Sequence, residues 1–161
     1  MTRRLVAAVA CRNQGSRLYG KPVQNLDVLG SVRIIDNIID CLRTVECIDE
    51  IILGISDGPE NEIFKTISEE KGLRYIVGDP IDVLSRLIQC GELGKATDIF
   101  RITSESPFLY FEVVNELWLR HQEEGADATF MDDVIDGCGF EIVTLSSCQK
   151  SHADGAPKHR S

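Results

Sequence analysis

Short apolar runs alternate with amphipathic segments along this chain, and this alternation limits the possible folds more than any other feature. Strands are predicted at Leu5–Cys11 and at 51–56, 73–77, 98–102, 127–131 and 139–143. Helical periodicity is predicted between them at 31–45, 60–71, 82–93 and 111–124. Strands that alternate with helices favour a mostly parallel sheet covered by helices on both faces. The sequence therefore predicts a three-layer α/β/α fold.

The length and charge of the chain exclude several classes of protein. Its 161 residues predict one domain, 1–161, with a sizeable core. The formal net charge is −9, and no basic face follows the first loop, so neither nucleic acid nor a membrane surface is an expected partner. No apolar run approaches the roughly 20 residues that a membrane-spanning helix needs.

The six cysteines are scattered and form no CxxC pair. Most of them lie within apolar periodic segments, which favours buried free thiols over disulfides. Free thiols are typical of a reducing compartment, and a cytoplasmic location is expected. None of the three histidines is spaced with cysteines as in a zinc site.

A cationic loop, Arg12–Lys21, directly follows the first predicted strand. Residues 1–21 hold five of the 17 basic residues and no acidic one, although the rest of the chain is acidic. Ligands of α/β sheets bind beyond the carboxyl ends of the strands. Arginine, lysine and exposed backbone N–H groups suit phosphate. The loop is therefore a candidate anion site, and a basic surface turn is the alternative.

Three familiar phosphate or signalling loops do not fit this stretch. Gly15–Lys21 matches the first half of a Walker A motif, but Pro22 follows where that motif has Ser or Thr, and helical periodicity does not begin at once. The G-x-G-x-x-G pattern of dinucleotide-binding proteins is absent. A receiver-type domain needs an acidic pair after its first strand, where this chain has Arg12.

Several segments, in order along the chain, resemble the cytidylyltransferases that activate acidic sugars, most closely the spore-coat polysaccharide type. Residues 12–21 resemble a loop with Arg, Ser or Thr, and Arg-Leu-Pro-Gly-Lys, with Tyr19 in place of the proline. Residues 78–86 resemble Gly-x-x-x-Asp-Val-Leu-x-Arg. Residues 101–107 resemble Arg-Ile-Thr-Gly-Asp-Cys-Pro, and 136–142 resemble Gly-Leu-Asp-Val-Glu-Val. The resemblance implies a Rossmann-like fold of the nucleotide-diphospho-sugar transferase type.

The resemblance also implies a reaction and a set of residues. CMP would pass from CTP to an acidic or surface-polysaccharide sugar, with release of pyrophosphate. Arg12 and Lys21 would be catalytic, binding the triphosphate and offsetting charge on the leaving group. The full set of implied nucleotide-binding residues is Arg12, Gly15, Ser16, Arg17, Gly20, Lys21, Asn25, Asp79, Asp82 and Arg86. For Asp82 a plain helix N-cap, and for Arg86 a solvated or ion-paired side chain, are equal alternatives.

The resemblance implies a divalent metal, Mg²⁺, held by Glu105. This residue stands where the family has a magnesium-binding aspartate, and hard cations prefer carboxylate oxygen. Gly139 stands where the family has a second carboxylate. Asp136 and Glu141 are nearby in sequence, and strand alternation predicts that Glu141 shares a face with Gly139.

Alternatives remain open for the function and the assembly. One is a sugar-phosphate nucleotidyltransferase that uses another nucleotide, and another is an inactive nucleotide-binding homologue. The family pattern continues beyond Ser161, so the domain is expected to be incomplete at its C-terminus. Relatives form dimers, which makes a homodimer through Trp118 or residues 131–157 a candidate assembly.

Overall fold

The order of the secondary-structure elements follows the alternation in the sequence. The computed structural model describes residues 2–15, 18–27, 29–131 and 133–156. The strands are β1 (Leu5–Cys11), β2 (Glu50–Ser56), β3 (Arg74–Gly78), β4 (Asp98–Thr103), β5 (Ala128–Phe130) and β6 (Glu141–Thr144). The helices are α1 (Ile34–Leu42), α2 (Glu62–Lys71), α3 (Val83–Leu93), α4 (Val114–Glu123) and α5 (Leu145–Asp154). The described residues also form three short 3-10 helices, at Lys21–Val23, Pro59–Asn61 and Phe111–Val113.

The six strands form one sheet in the order β3-β2-β1-β4-β6-β5. β1 is central and pairs in parallel with β2 and β4, and β3 pairs in parallel with β2. β6 runs antiparallel to both β4 and β5, so the sheet is mostly parallel with an antiparallel edge. The carboxyl ends of β1 to β4 therefore lie at one edge of the sheet, and the predicted site residues follow these strand ends.

The apolar side chains of β1 alternate between the two faces of the sheet, as a strand buried on both sides requires. On one face, Leu5, Ala7, Val9 and Cys11 pack in a cluster with residues of α1, α2 and α4. Val6 and Ala8 pack in a second cluster with residues of α3 and α5. The predicted three-layer α/β/α fold is confirmed.

The structure adds a helix that the sequence analysis did not predict. α5 covers Leu145–Asp154, a mostly polar stretch directly after β6. Thr144 caps it, since its hydroxyl accepts a hydrogen bond from the N–H of Ser147. Cys148 is the buried residue of this helix, so apolar periodicity gives little signal there.

The cysteines of the described chain are free thiols, as the sequence predicts. Burial raises the pKa of the Cys90 thiol to about 12 and that of the Cys148 thiol to about 11. Neither residue is therefore a reactive thiolate near neutral pH.

A buried polar cluster lies at the opposite edge of the sheet, where β1 and β4 begin. The Asp98 carboxylate accepts hydrogen bonds from Arg3 and Thr97 and lies 3.1 Å from Nε2 of His121. Burial opposes ionisation of Asp98, but these hydrogen bonds outweigh it and hold the pKa of the carboxyl below its ordinary value. Trp118 is only 7% exposed and stacks on His121. Trp118 therefore packs α4 and exposes little surface to a dimer interface.

Among the helices in the described part of the chain, none combines the length and the apolar character that crossing a bilayer requires.

Candidate nucleotide site at the carboxyl edge of the sheet

The loop after β1 is held by one buried asparagine. The backbone N–H of Asn13 donates to Oδ1 of Asn61 over 2.8 Å, and its side-chain amide donates to the carbonyl of Glu60 over 2.6 Å. The carbonyl of Asn13 accepts hydrogen bonds from the N–H groups of Gly15 and Gly20. These bonds tie both ends of the loop to the turn that follows β2. No motif pointed to Asn13 or Asn61 as anchors, because their partners are set by the fold.

Both glycines of the loop are required by the backbone. Gly20 has φ +67°, in the left-handed region that disfavours a side chain. A Cβ atom on Gly15 would lie 2.5 Å from the carbonyl oxygen of Leu18. The loop then enters the short 3-10 turn Lys21–Val23 rather than a long helix, which agrees with the rejection of a Walker loop.

Four of the predicted site residues meet in one cavity of about 310 Å³. It is lined by Arg12, Asn13, Gly15, Leu18, Lys21, Pro22 and Glu105. Glu105 reaches it because β4 lies beside β1 in the sheet, although the two segments are far apart in sequence. Within the described residues, no ion pair engages the side chains of Arg12, Lys21 or Glu105. The cavity therefore offers two cations and one carboxylate to a ligand.

A second group of predicted residues lies at the end of β3. Asp79 accepts hydrogen bonds from the N–H groups of Asp82 and Ile81, which hold the pKa of its carboxyl below its ordinary value. Asp82 caps α3 through the N–H of Ser85, and its Oδ2 lies 2.7 Å from Nε2 of His152. The N-cap alternative for Asp82 is therefore confirmed, and both carboxylates shape the turn between β3 and α3.

The sequence left open that Arg86 is a solvated or ion-paired side chain rather than a nucleotide contact. In the structure Arg86 is neither solvated nor ion-paired within the described residues. It is 1% exposed, and no described carboxylate forms an ion pair with it. Asn25 is exposed, forms an isolated backbone bridge with Arg33, and is outside the lining of the cavity. Ser16 and Arg17 lie outside the described residues.

The metal prediction rests on one carboxylate in this structure. No group of three or more His, Cys, Asp or Glu side chains in the described ranges is arranged to hold a metal ion. A Cβ atom on Gly139 would collide with the carbonyl oxygen of Met131, so this backbone has no room for the family's second carboxylate. Glu141 is paired with Arg101 at 2.7 Å. Magnesium can nevertheless bind through one carboxylate together with phosphate oxygens of a substrate, and Glu105 fits that arrangement.

A further cavity of about 350 Å³ lies at the end of β4 and the start of β6. Its polar lining includes Thr103, Ser106, Asp136 and the Arg101–Glu141 pair. Phe130 and Phe140 supply apolar surface. This cavity adjoins Glu105 through the segment that follows β4.

A cationic loop after the central strand and a carboxylate after the neighbouring strand thus lie at one edge of a three-layer α/β/α fold. Solved structures share this fold. One is a cytidylyltransferase from Leptospira borgpetersenii, with a TM-score of 0.87 and 16% identity over 99% of this chain and 68% of that chain. Another is a CMP-2-keto-3-deoxy-manno-octonic acid synthetase complexed with CTP, with a TM-score of 0.72 and 15% identity over 96% of this chain and 80% of that chain.

In sequence, the chain is similar to the spore coat polysaccharide biosynthesis protein SpsF of Bacillus subtilis. The two are 26% identical over 142 residues, which is 86% of this chain and 58% of the relative. The chain thus spans less than two thirds of the length of that relative. No family model matches. The resemblance to the cytidylyltransferases that the motifs indicate is confirmed, in sequence by a spore-coat relative and in fold by cytidylyltransferases.

Proposed function

We propose that this chain is the nucleotide-binding unit of a CTP-dependent cytidylyltransferase that transfers CMP to a sugar. The observation that carries the proposal is the meeting of Arg12, Lys21 and Glu105 in one cavity. Two cations that form no ion pair with any described residue, together with a glycine loop, suit a triphosphate. The names of the relative and of the fold neighbours support cytidine as the base and a polysaccharide sugar as the acceptor.

In the proposed reaction a sugar hydroxyl attacks the α-phosphorus of CTP. An oxygen–phosphorus bond forms to the sugar, and the bond from the α-phosphorus to the bridging oxygen breaks. Pyrophosphate leaves with the electron pair of that bond, and the hydroxyl gives its proton to solvent water. Arg12 and Lys21 offset the charge that grows on the leaving group, which is the main demand of phosphoryl chemistry.

Glu105 and the triphosphate together would hold a divalent cation, with Mg²⁺ as the proposed ion. When bound, the cation would neutralise phosphate charge and help to align the phosphates. The side chain of Glu105 is exposed and forms no ion pair among the described residues. Its carboxylate therefore needs no rearrangement of the fold to reach a ligand.

The second cavity is the proposed place of the acceptor sugar. Thr103 and Ser106 of its lining are near neighbours in sequence of Glu105 in the triphosphate cavity, and their hydroxyl groups and the carboxylate of Asp136 can bond sugar hydroxyls. Residues of the 131–157 region remain the proposed surface for a homodimer.

Pyrophosphate release tests the proposal. Wild type, Glu105→Gln and the control Glu116→Gln are assayed with CTP and Mg²⁺ against a panel of acidic and neutral sugars. Glu116 is exposed on α4, away from the site. We expect release with CTP and at least one sugar, a loss of about tenfold or more in Glu105→Gln, and no change in the control. Equal rates in both variants would contradict the role of Glu105.

One observation favours the alternative of a nucleotide-binding homologue without transfer activity. The position of the second carboxylate, Gly139, is closed by the carbonyl of Met131. Under this alternative CTP binds but no tested sugar leads to release of pyrophosphate. The same assay, run beside a binding titration, separates the two functions.

A further inference from the structure

Three side chains form one row across the strands that border the second cavity. Arg101 of β4 lies directly opposite Glu141 of β6, and Glu141 lies directly opposite Phe130 of β5. Residues that lie opposite each other in paired strands are neighbours on the same face of the sheet. All three line the cavity. The register of the antiparallel edge therefore decides which groups a ligand meets there.

Arg101 is the one cation among the described residues that line this cavity, and it is already paired. Nη1 of Arg101 donates to both carboxylate oxygens of Glu141, each over 2.7 Å. The two side chains are 39% and 32% exposed, so the pair lies in the wall of the cavity rather than free in solvent. Glu141 therefore offsets the charge of the guanidinium before any ligand binds.

Asp136 gives the cavity an excess of negative charge. Its side chain is exposed and forms no ion pair with any described residue. The charged side chains of the lining are thus one arginine and two carboxylates, with a formal charge of −1. Like charges repel more strongly in a partly enclosed cavity than in open water. A ligand that carries a carboxylate of its own would therefore bind poorly here.

Phe130 supplies an apolar surface in the same cavity. Its side chain is 59% exposed, although it belongs to a strand. A sugar ring has a face of C–H groups that can cover an exposed aromatic ring, and burial of both surfaces stabilises the contact. The hydroxyl groups of Thr103 and Ser106, 3.2 Å apart, offer hydrogen bonds to the hydroxyl groups of such a ring.

We propose that the acceptor is a sugar without a carboxylate, either neutral or carrying an amino group, whose ring packs on Phe130. The motifs left acidic sugars and other surface-polysaccharide sugars open, and the charge of the cavity favours the second class. Glu141 determines this specificity, because it occupies the guanidinium of Arg101 that would otherwise bind a sugar carboxylate. The carboxylate of Asp136 accepts hydrogen bonds from hydroxyl or ammonium groups of the sugar.

The inference rests on the proposed function, and one assay separates the two. Pyrophosphate release with CTP and Mg²⁺ is measured for glucose, mannose and galactose, for the amino derivative and the uronic acid of each, and for 2-keto-3-deoxy-manno-octonic acid. The variants are Glu141→Gln and Phe130→Ala, with Glu116→Gln and Phe108→Ala as matched controls. Phe108 is 69% exposed and is not part of the lining of this cavity.

We expect wild type and both controls to favour a neutral or amino sugar over the matched acid by about tenfold or more in kcat/KM. In Glu141→Gln the guanidinium of Arg101 is released, and the ratio moves toward the acid by about tenfold. Phe130→Ala raises the KM for the preferred sugar by about threefold or more, and Phe130→Tyr, which keeps the ring, restores it. The KM for CTP is unchanged in all of these variants.

Each outcome bears on a different claim. If wild type prefers the acids, the inference is overturned while the proposed function stands. An unchanged ratio in Glu141→Gln, or equal KM values for the sugar in Phe130→Ala and Phe108→Ala, also overturns it. If no sugar leads to release of pyrophosphate in wild type, the proposed function fails and the inference with it. Should Glu141→Gln not fold, Asp136→Asn keeps the test decisive, because its ratio should move toward the acid by about threefold and an unchanged ratio contradicts the inference.

Discussion

Replacement of Arg86 by methionine should make the unliganded chain more stable, which few substitutions of a fully buried residue do. Nε and Nη1 are both buried and have no hydrogen-bond partner among the described residues, and each such donor costs about 1–3 kcal/mol. Methionine keeps the apolar stem beside Gly54 and Gly78 and removes both donors and the buried charge. After some loss of packing, we expect a net gain of about 1–3 kcal/mol.

Thermal and denaturant unfolding of the unliganded chain, followed by circular dichroism, measures this gain. In a domain of this size, 1 kcal/mol corresponds to a shift of about 2–4 °C in Tm. The control Arg120→Met, at an exposed position, should change stability by about 0.5 kcal/mol or less. A loss of stability of about 1 kcal/mol or more in unliganded Arg86→Met would refute the reasoning, because the guanidinium would then have partners in the free protein.

Three other substitutions test other parts of the molecule. Lys21→Ala should weaken CTP binding by about 1–3 kcal/mol, the worth of a charge-assisted contact, and equal loss in the exposed control Lys150→Ala would show a general charge effect. Gly15→Ala should lower CTP affinity by distorting the loop, because its Cβ would press on a backbone carbonyl, and unchanged affinity would contradict the anchored loop. Asp98→Asn should cost about 3 kcal/mol near neutral pH. Folding lowers the pKa of Asp98. The ionised carboxylate therefore stabilises the fold above the ordinary pKa of about 3.9, and this stabilisation is lost as the pH falls below that value. The free energy of unfolding, measured from about pH 5 to pH 2, should fall less in the variant than in wild type.

The layers of the fold could be predicted from the sequence because burial on two faces leaves a direct signal. β1 and β2 are continuous apolar runs, and their predicted bounds differ from the observed ones by at most one residue. α1 begins later than predicted, because Ser31 has a left-handed and Arg33 an extended backbone conformation. α5 was missed because its single buried residue, Cys148, gives no periodicity. The antiparallel direction of β6 depends on the connection that follows β5, which no local pattern reports.

The candidate site could be predicted only in part, because some of its features depend on contacts between segments that are distant in sequence. The meeting of Lys21 and Glu105 follows from one rule, that ligands bind where parallel strands end. The burial of Arg86 in α3 could not be predicted, because the space for it comes from Gly54 of β2 and Gly78 of β3. Nor could the closure of position 139 be predicted, because it depends on where the backbone of Met131 lies.

Calorimetric titration of the wild-type chain with CTP, UTP, GTP and ATP, each with and without Mg²⁺, tests the central claim most directly. The account predicts that CTP binds best and that Mg²⁺ tightens it, because Arg12, Lys21 and Glu105 meet in one cavity and the fold neighbours include cytidylyltransferases. Failure of every nucleotide to bind, or equal affinity for all four, would contradict it.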